Sequence, residues 1–351
     1  MRFVRTWIVA GLSAAFASLM LVASAVAETT FFPLAPSVHP RSVTFGPGGN
    51  LWFAAVEYTE DNGIVGRIAP SGQVTEFQIP DQNYKNYGAE SIVAGPDGNL
   101  WFVEGAADRI GRITPSGEIA QFQLPRKSGP KAITPGPDGN LWFTERTADA
   151  IGRITPSGEV AQFRLPRGSG PAGIAAGPDG GLWFTESLAS KIGRIGTDGL
   201  ITQFRLPRPT RPHAIVGGAD GNLWFTEGSL SKRGRVGRNK IGRITPSGEV
   251  AQFRVRAPYG TKAIAAGPTG DIWFTTGKKL AGAEVGSISP SDLAIQYACF
   301  AASCRLPAYS LAFGPEGALW FGAGIEPCVY CGGGTTISLQ FQPGQVGRLV
   351  P

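Results

Sequence analysis

Only two histidines, His39 and His213, occur among the 351 residues, and neither stands in a spacing such as H-x-x-x-H that would put two imidazoles on one metal. No G-x-S-x-G nucleophile elbow is present, and no Walker loop or strand-to-helix glycine fingerprint offers a phosphate cradle. Helical periodicity is missing beyond the first residues, which argues against α and α/β folds. Charge is also thin: Asp, Glu, Lys and Arg make up 17% of the chain. Of the net +6, two positive charges, Arg2 and Arg5, belong to an N-terminal leader, so the remainder is only mildly basic.

That leader reads as a secretory signal. Arg2 and Arg5 precede an apolar run from Trp7 to Ala25, and the small residues Ala25-Val26-Ala27 suit cleavage before Glu28. Residues 1–27 are therefore expected to be removed, leaving 28–351 as one domain, secreted or periplasmic; an uncleaved membrane anchor is the alternative. The four cysteines, Cys299, Cys304, Cys328 and Cys331, fit disulfides in an oxidising compartment, with three pairings open. A redox-active C-x-x-C at 328–331 is the sharper alternative, although the βαβ setting of such motifs is missing.

What the chain does contain is a repeat. Every tryptophan except Trp7 marks one copy: Trp52, Trp101, Trp142, Trp183, Trp224, Trp273 and Trp320. Trp101 to Trp224 advance in steps of 41 residues, the length of one four-stranded propeller blade. The third copy serves as template. Ala132-Ile133-Thr134 begins a strand, Gly136-Pro137-Asp138-Gly139 turns, and Leu141–Glu145 is an aromatic-rich second strand. Ile151-Gly152-Arg153-Ile154 forms a third strand, and Val160–Pro166 alternates as a half-exposed outer strand. The expectation is an all-β, seven-bladed propeller with four antiparallel strands per blade. The last copy lacks a fourth strand, and Thr29–Leu34 resembles one, so the N-terminal strand is expected to join the last blade and close the ring.

Function should lie where the copies differ. Eleven residues before each blade tryptophan stand Arg41, Glu90, Lys131, Ala172, His213, Lys262 and Tyr309, expected to line the channel mouth. Three residues after four of the tryptophans stand Glu104, Glu145, Glu186 and Glu227. Pairing with the recurring Arg112, Arg153, Arg194 and Arg243, or with backbone donors, is the structural expectation for them; a cation-binding arc is the functional one. An insertion at 231–240 carries five positive charges, either a solvated loop or a grip for an anionic partner. It has no interleaved aromatics, so specific nucleic-acid reading is not expected. A longer insertion spans 325–343. A monomer is expected.

The run Gly136–Glu145 followed by Ile151–Thr155 resembles the virginiamycin B lyase family over essentially the whole processed chain. That resemblance implies a seven-bladed propeller that opens the macrocyclic ester of streptogramin B antibiotics by elimination. It also implies a Mg²⁺ polarising the ester carbonyl and a histidine base removing the adjacent proton. Arg211-Pro212-His213 matches the family's Arg-Pro-His. The family's Glu-Pro-His, which carries a metal ligand and the base, falls here on Gly260, Thr261 and Lys262, with the second metal glutamate near Gly277. Counted from the chain end it falls on Pro307, Ala308 and Tyr309, with Glu326 the surviving carboxylate. The expectation is thus an exported propeller that binds a small molecule, peptide or partner on its channel face, through Arg41, Glu90, Lys131, Tyr309, Arg211 and Glu227, without the elimination chemistry. The alternatives are a Mg²⁺-dependent lyase using His213 and Lys262, and a metal-dependent lactonase using the glutamates.

Overall fold

The computed structural model describes residues 29–34, 37–57, 62–80, 88–228, 239–255, 261–276, 284–299, 308–323 and 345–349. Residues 1–27, expected as a signal, Glu326, the basic residues of 231–238, the 325–343 insertion and Cys304, Cys328 and Cys331 lie outside them, as does the side chain of Cys299. Among the described residues no helix is long and apolar enough to cross a membrane.

The chain is an all-β propeller. Six four-stranded sheets each use four consecutive strands; the third comprises Pro130–Pro135, Leu141–Glu145, Ala150–Ile154 and Val160–Arg164. A further four-stranded sheet is composite: Ala308–Phe313, Leu319–Ala323 and Gln345–Leu349 are joined by Thr29–Pro33, which pairs antiparallel from Thr29 opposite Leu349 to Pro33 opposite Gln345. The first strand of every sheet is innermost, lying beside the first strands of its two neighbours, with Ala308–Phe313 beside Val38–Phe45. The expected outer strand in the third sheet stops at Arg164: the amide of Leu165 still donates to the carbonyl of Asp149 at 2.8 Å, but Asp149 has a φ of 49°, outside the extended region.

Each tryptophan closes the gap to the next sheet. Trp101 packs with Leu141, Phe143 and Ile154, Trp142 with Leu182, Phe184 and Ile195, and Trp320 of the composite sheet with Leu51, Phe53 and Ile68 of the first. Replacing such a buried indole by alanine would cost about 3–5 kcal/mol. The rest of the repeat serves this contact. The outer-strand phenylalanine stacks on the indole, Phe163 on Trp142 at 5.3 Å. The glycine of the Ile-Gly-Arg step makes room for the phenylalanine opposite it on the second strand: a Cβ on Gly111 would fall 2.1 Å from the Phe102 ring. In the Gly-Pro-Asp-Gly turns the aspartate takes the indole N–H, Trp142 Nε1 donating to Asp138 Oδ1 at 3.0 Å. Burial alone would raise the Asp138 pKa, but hydrogen bonds from Asn140 and Trp142 outweigh it and hold the carboxyl below its ordinary value. In the first sheet Gly48 occupies the aspartate's place and the buried Trp52 Nε1 has no acceptor.

The recurring arginines do not pair with the recurring glutamates. Arg112 lies over Trp101 at 5.6 Å and donates to the carbonyl of Pro156 in the next sheet at 2.9 Å; Arg153 and Arg243 likewise cover Trp142 and Trp224. Arg194 instead reaches Asp179 Oδ2 at 2.5 Å. The glutamates meet glutamines of their own outer strands: Gln121 donates to Glu104 at 2.9 Å, Gln162 to Glu145 at 2.5 Å, Gln203 to Glu186 at 2.8 Å and Gln252 to Glu227 at 2.8 Å. All four glutamates are buried. Neutral glutamine suits this position because burial already disfavours the charged carboxylate: burial raises the pKa of Glu145 to about 7, against Gln162's hydrogen bond, and it raises those of Glu186 and Glu227 as well.

Two predictions test this frame. Asp138→Ala strands a buried indole N–H and should lower the urea-unfolding free energy by about 1–3 kcal/mol; an unchanged midpoint would show that the turn aspartate is dispensable. For Glu145 the folded pKa of about 7 exceeds the ordinary 4.5, so the folded state holds the proton longer. Its contribution is therefore most favourable below the ordinary value and declines as pH rises toward 7. Glu145→Gln should flatten the fall in melting temperature between about pH 5 and about pH 8, and an identical slope in the variant would contradict the assignment.

Candidate functional site

Strand register puts the site at one end of the channel. Pro130 stands opposite Glu145, Glu145 opposite Ala150, and Ala150 opposite Arg164, so the start of the inner strand, the second-to-third connection and the exit to the next sheet share one end. At that end the inner strands bulge. In the third sheet Pro130 pairs Glu145 and Ile133 pairs Phe143, leaving Lys131 and Ala132 opposite Thr144 alone. The same shift occurs at Arg41, between Pro40 and Ser42, at Ala172, at His213, at Lys262, and at Tyr309 between Ala308 and Ser310. Bulges re-aim side chains and are frequent beside functional sites. Six of the seven positions counted from the tryptophans thus fall on bulges; Glu90 lies just ahead of its strand, its amide donating to Val103 O at 3.0 Å.

Threonines lock the bulges of the third to sixth sheets. Thr144 Oγ1 accepts from the Ala132 amide at 3.1 Å and donates to the carbonyl of Ala172 in the next inner strand at 2.9 Å. Thr185 accepts from Gly173 at 2.9 Å and donates to the carbonyl of His213 at 2.6 Å, while Ser187 Oγ donates to Pro212 O. The backbone of Pro212-His213 is therefore held by the preceding sheet. The imidazole lies 3.6 Å from where a Cβ on Gly228 would stand, an ordinary contact distance, so the ring sits beside the residue after Glu227.

The ring is polar and unequal. Arg41, Lys131 and Lys262 are exposed, Glu90 and His213 are half-buried and Ala172 is buried. Lys131 Nζ pairs with Glu90 Oε2. Arg211, also exposed, precedes His213 by two residues on the same strand. Burial lowers the His213 pKa, and Arg146, Arg211, Lys262 and Lys131 lower it further, so its neutral form dominates at neutral pH. Burial followed by Arg41 does the same to His39. The side chain of Tyr309 lies outside the described residues.

Arg146 was not among the sequence candidates. Four residues after the tryptophans the copies read Val56, Gly105, Arg146, Ser187, Gly228, Gly277 and Gly324, and a single charge in that series is the signal that marks it. Glu227, expected as a ligand contact, is buried with its carboxylate taken by Gln252. Of the positions where the family resemblance implies metal ligands and a base, Thr261 is buried and Lys262 is exposed, while Gly260, Pro307 and Glu326 lie outside the described residues. Among the described residues no group of three or more His, Cys, Asp or Glu could hold a metal ion. The donor set at these positions does not fit Mg²⁺, which takes carboxylate and other oxygen ligands.

The comparisons agree with this geometry. The model of the virginiamycin B lyase family matches residues 20–239. A streptogramin B lyase structure is 30% identical, covering 92% of this chain and 97% of that one, with a TM-score of 0.75. Virginiamycin B lyase from Staphylococcus aureus is 32% identical over 93% of this chain and 99% of its own, also with a TM-score of 0.75. A catalytically inactive histidine-to-alanine form of the Staphylococcus aureus enzyme with quinupristin is 32% identical, over 92% of this chain and all of that one, at a TM-score of 0.74. No curated protein sequence matches the chain. With the tryptophan frame, the bulged ring and matches over nearly the full length, the chain belongs to the virginiamycin B lyase family.

Proposed function

We propose that this protein is an exported, seven-bladed member of the family, closed by its N-terminal strand, which binds a small molecule, peptide or partner at the channel mouth without performing the elimination. The observation that carries this reading is Lys262 on the bulge next to that of His213, where the resemblance implies the histidine base. A lysine ammonium offers three donors and no acceptor for a proton. Thr261 ahead of it offers a hydroxyl where the motif has proline, and Gly260 offers no carboxylate where the motif has a metal ligand. Export rests on the leader and its small-residue cleavage site.

One observation favours a second reading, a lyase using His213. Its neutral form, maintained by burial and surrounding cations, is the form a base requires. The lactonase reading has weaker support, since Glu104, Glu145, Glu186 and Glu227 are buried against glutamines. The full chain should be incubated with a streptogramin B with and without Mg²⁺ and the products separated by chromatography and fragmented. Elimination leaves an isomer of unchanged mass, whereas hydrolysis adds water. No ring opening is expected; Mg²⁺-dependent linearisation that disappears in His213→Ala would overturn the binding reading.

A further inference from the structure

We infer that the channel mouth binds a small anionic ligand through a carboxylate or phosphate group, held by Arg146, Arg211 and Lys262 around the imidazole of His213. The inference rests on the reading of this mouth as the binding face and names the chemistry of what it takes.

Four elements bring these groups together. The bulges set Lys131, His213 and Lys262 at one level of the inner ring; Arg211 comes from the His213 strand itself, and Arg146 from the connection that follows Glu145. Arg146, Arg211, Lys262 and Lys131 all lie near enough to His213 to oppose its protonation. They come from the third, fifth and sixth sheets, so the cluster is not an accident of one basic stretch of sequence. The inner ring carries one acid among its seven positions, Glu90, and that carboxylate is paired with Lys131. Glu227, next to Gly228 under the imidazole, is buried and turned to Gln252. The connection 206–210 that leads into the fifth sheet at this end contains no Asp or Glu.

A concave mouth with like charges on protein walls concentrates the potential and raises the local concentration of counter-ions. Guanidinium forks match the paired oxygens of carboxylate and phosphate, and an ammonium adds a point charge. Neutral His213 can donate one ring N–H to such an oxygen, and on protonation it can donate two. An anion seated among these groups removes part of the repulsion that holds His213 neutral. Binding should therefore raise its pKa, and affinity should rise as pH falls. The same cluster disfavours a divalent cation, which inverts the polarity implied by the family resemblance.

The test uses the full chain at low ionic strength, titrated calorimetrically with inorganic phosphate and separately with citrate, while proton NMR follows the two histidine rings. Assignment comes from His39→Ala and His213→Ala. Binding of either anion is expected, weakened about tenfold or more in the Arg211→Gln/Lys262→Gln variant, as loss of about 1.4 kcal/mol implies. The His213 titration midpoint is expected to move upward at saturation by about half a unit or more. Binding of phosphate alone or citrate alone, with that variant dependence, supports the site and selects the group. No heat with either anion, or an affinity unchanged in both the double variant and Arg146→Gln, overturns the inference. The melting temperature of each variant shows whether a loss reflects misfolding. Streptogramin ring opening alongside variant-sensitive phosphate binding would sink the non-catalytic reading and leave the anion site standing.

Discussion

The wedge of each tryptophan into the neighbouring sheet is the contact on which the rest of the molecule depends. A four-stranded sheet buries one face by itself poorly, and stacking sheets around an axis covers both faces only if the gap between neighbours is filled at native density. The indole fills it, and nearly every recurring residue follows from that choice. Glycine in the Ile-Gly-Arg step clears space for the adjacent phenylalanine, the turn aspartate satisfies the indole N–H, and the arginine lies over the ring while tying its own sheet to the next turn. Trp320 packing with Leu51 and Phe53 brings the composite sheet into the same scheme.

A frame held in this way leaves the inner bulges free to vary. In the third to sixth sheets the bulge backbone is fixed by threonine hydroxyls from the second strand, so the side chain at the bulge contributes little to holding it. That explains how this position carries lysine, alanine and histidine in successive sheets. It also explains how a family frame survives when Lys262 replaces the histidine that the resemblance implies. Around His213 the charges that act on its ring are those of Arg146, Arg211, Lys262 and Lys131, all of which oppose its protonation.

Much of the frame is legible in the sequence, because strand, turn and period are local signals. The second strand Leu141–Glu145 has the same bounds by reading and by structure. The bulged ring emerges from counting back from the tryptophans, since the repeat is constant to the residue at this point. Contacts between residues of unlike chemistry were less legible. Nothing local links Glu145 to Gln162, and opposite charge pointed instead to Arg153, whose guanidinium is occupied by Trp142. The field acting on His213 depends on Arg146 and Lys131 from another sheet, and only the ring geometry puts them within reach.

The central claim is that stability resides in the tryptophan frame and that the bulge side chains add little to it. The most direct measurement is the thermal midpoint of a triple variant, Arg41→Ala, Lys131→Ala and Lys262→Ala, against the parent protein. These are exposed side chains, and surface substitutions typically change stability by about 0.5 kcal/mol or less each. The account predicts a midpoint within about 4 °C of the parent. A cooperative loss of about 10 °C or more would mean that the ring residues hold the propeller together, and would contradict it.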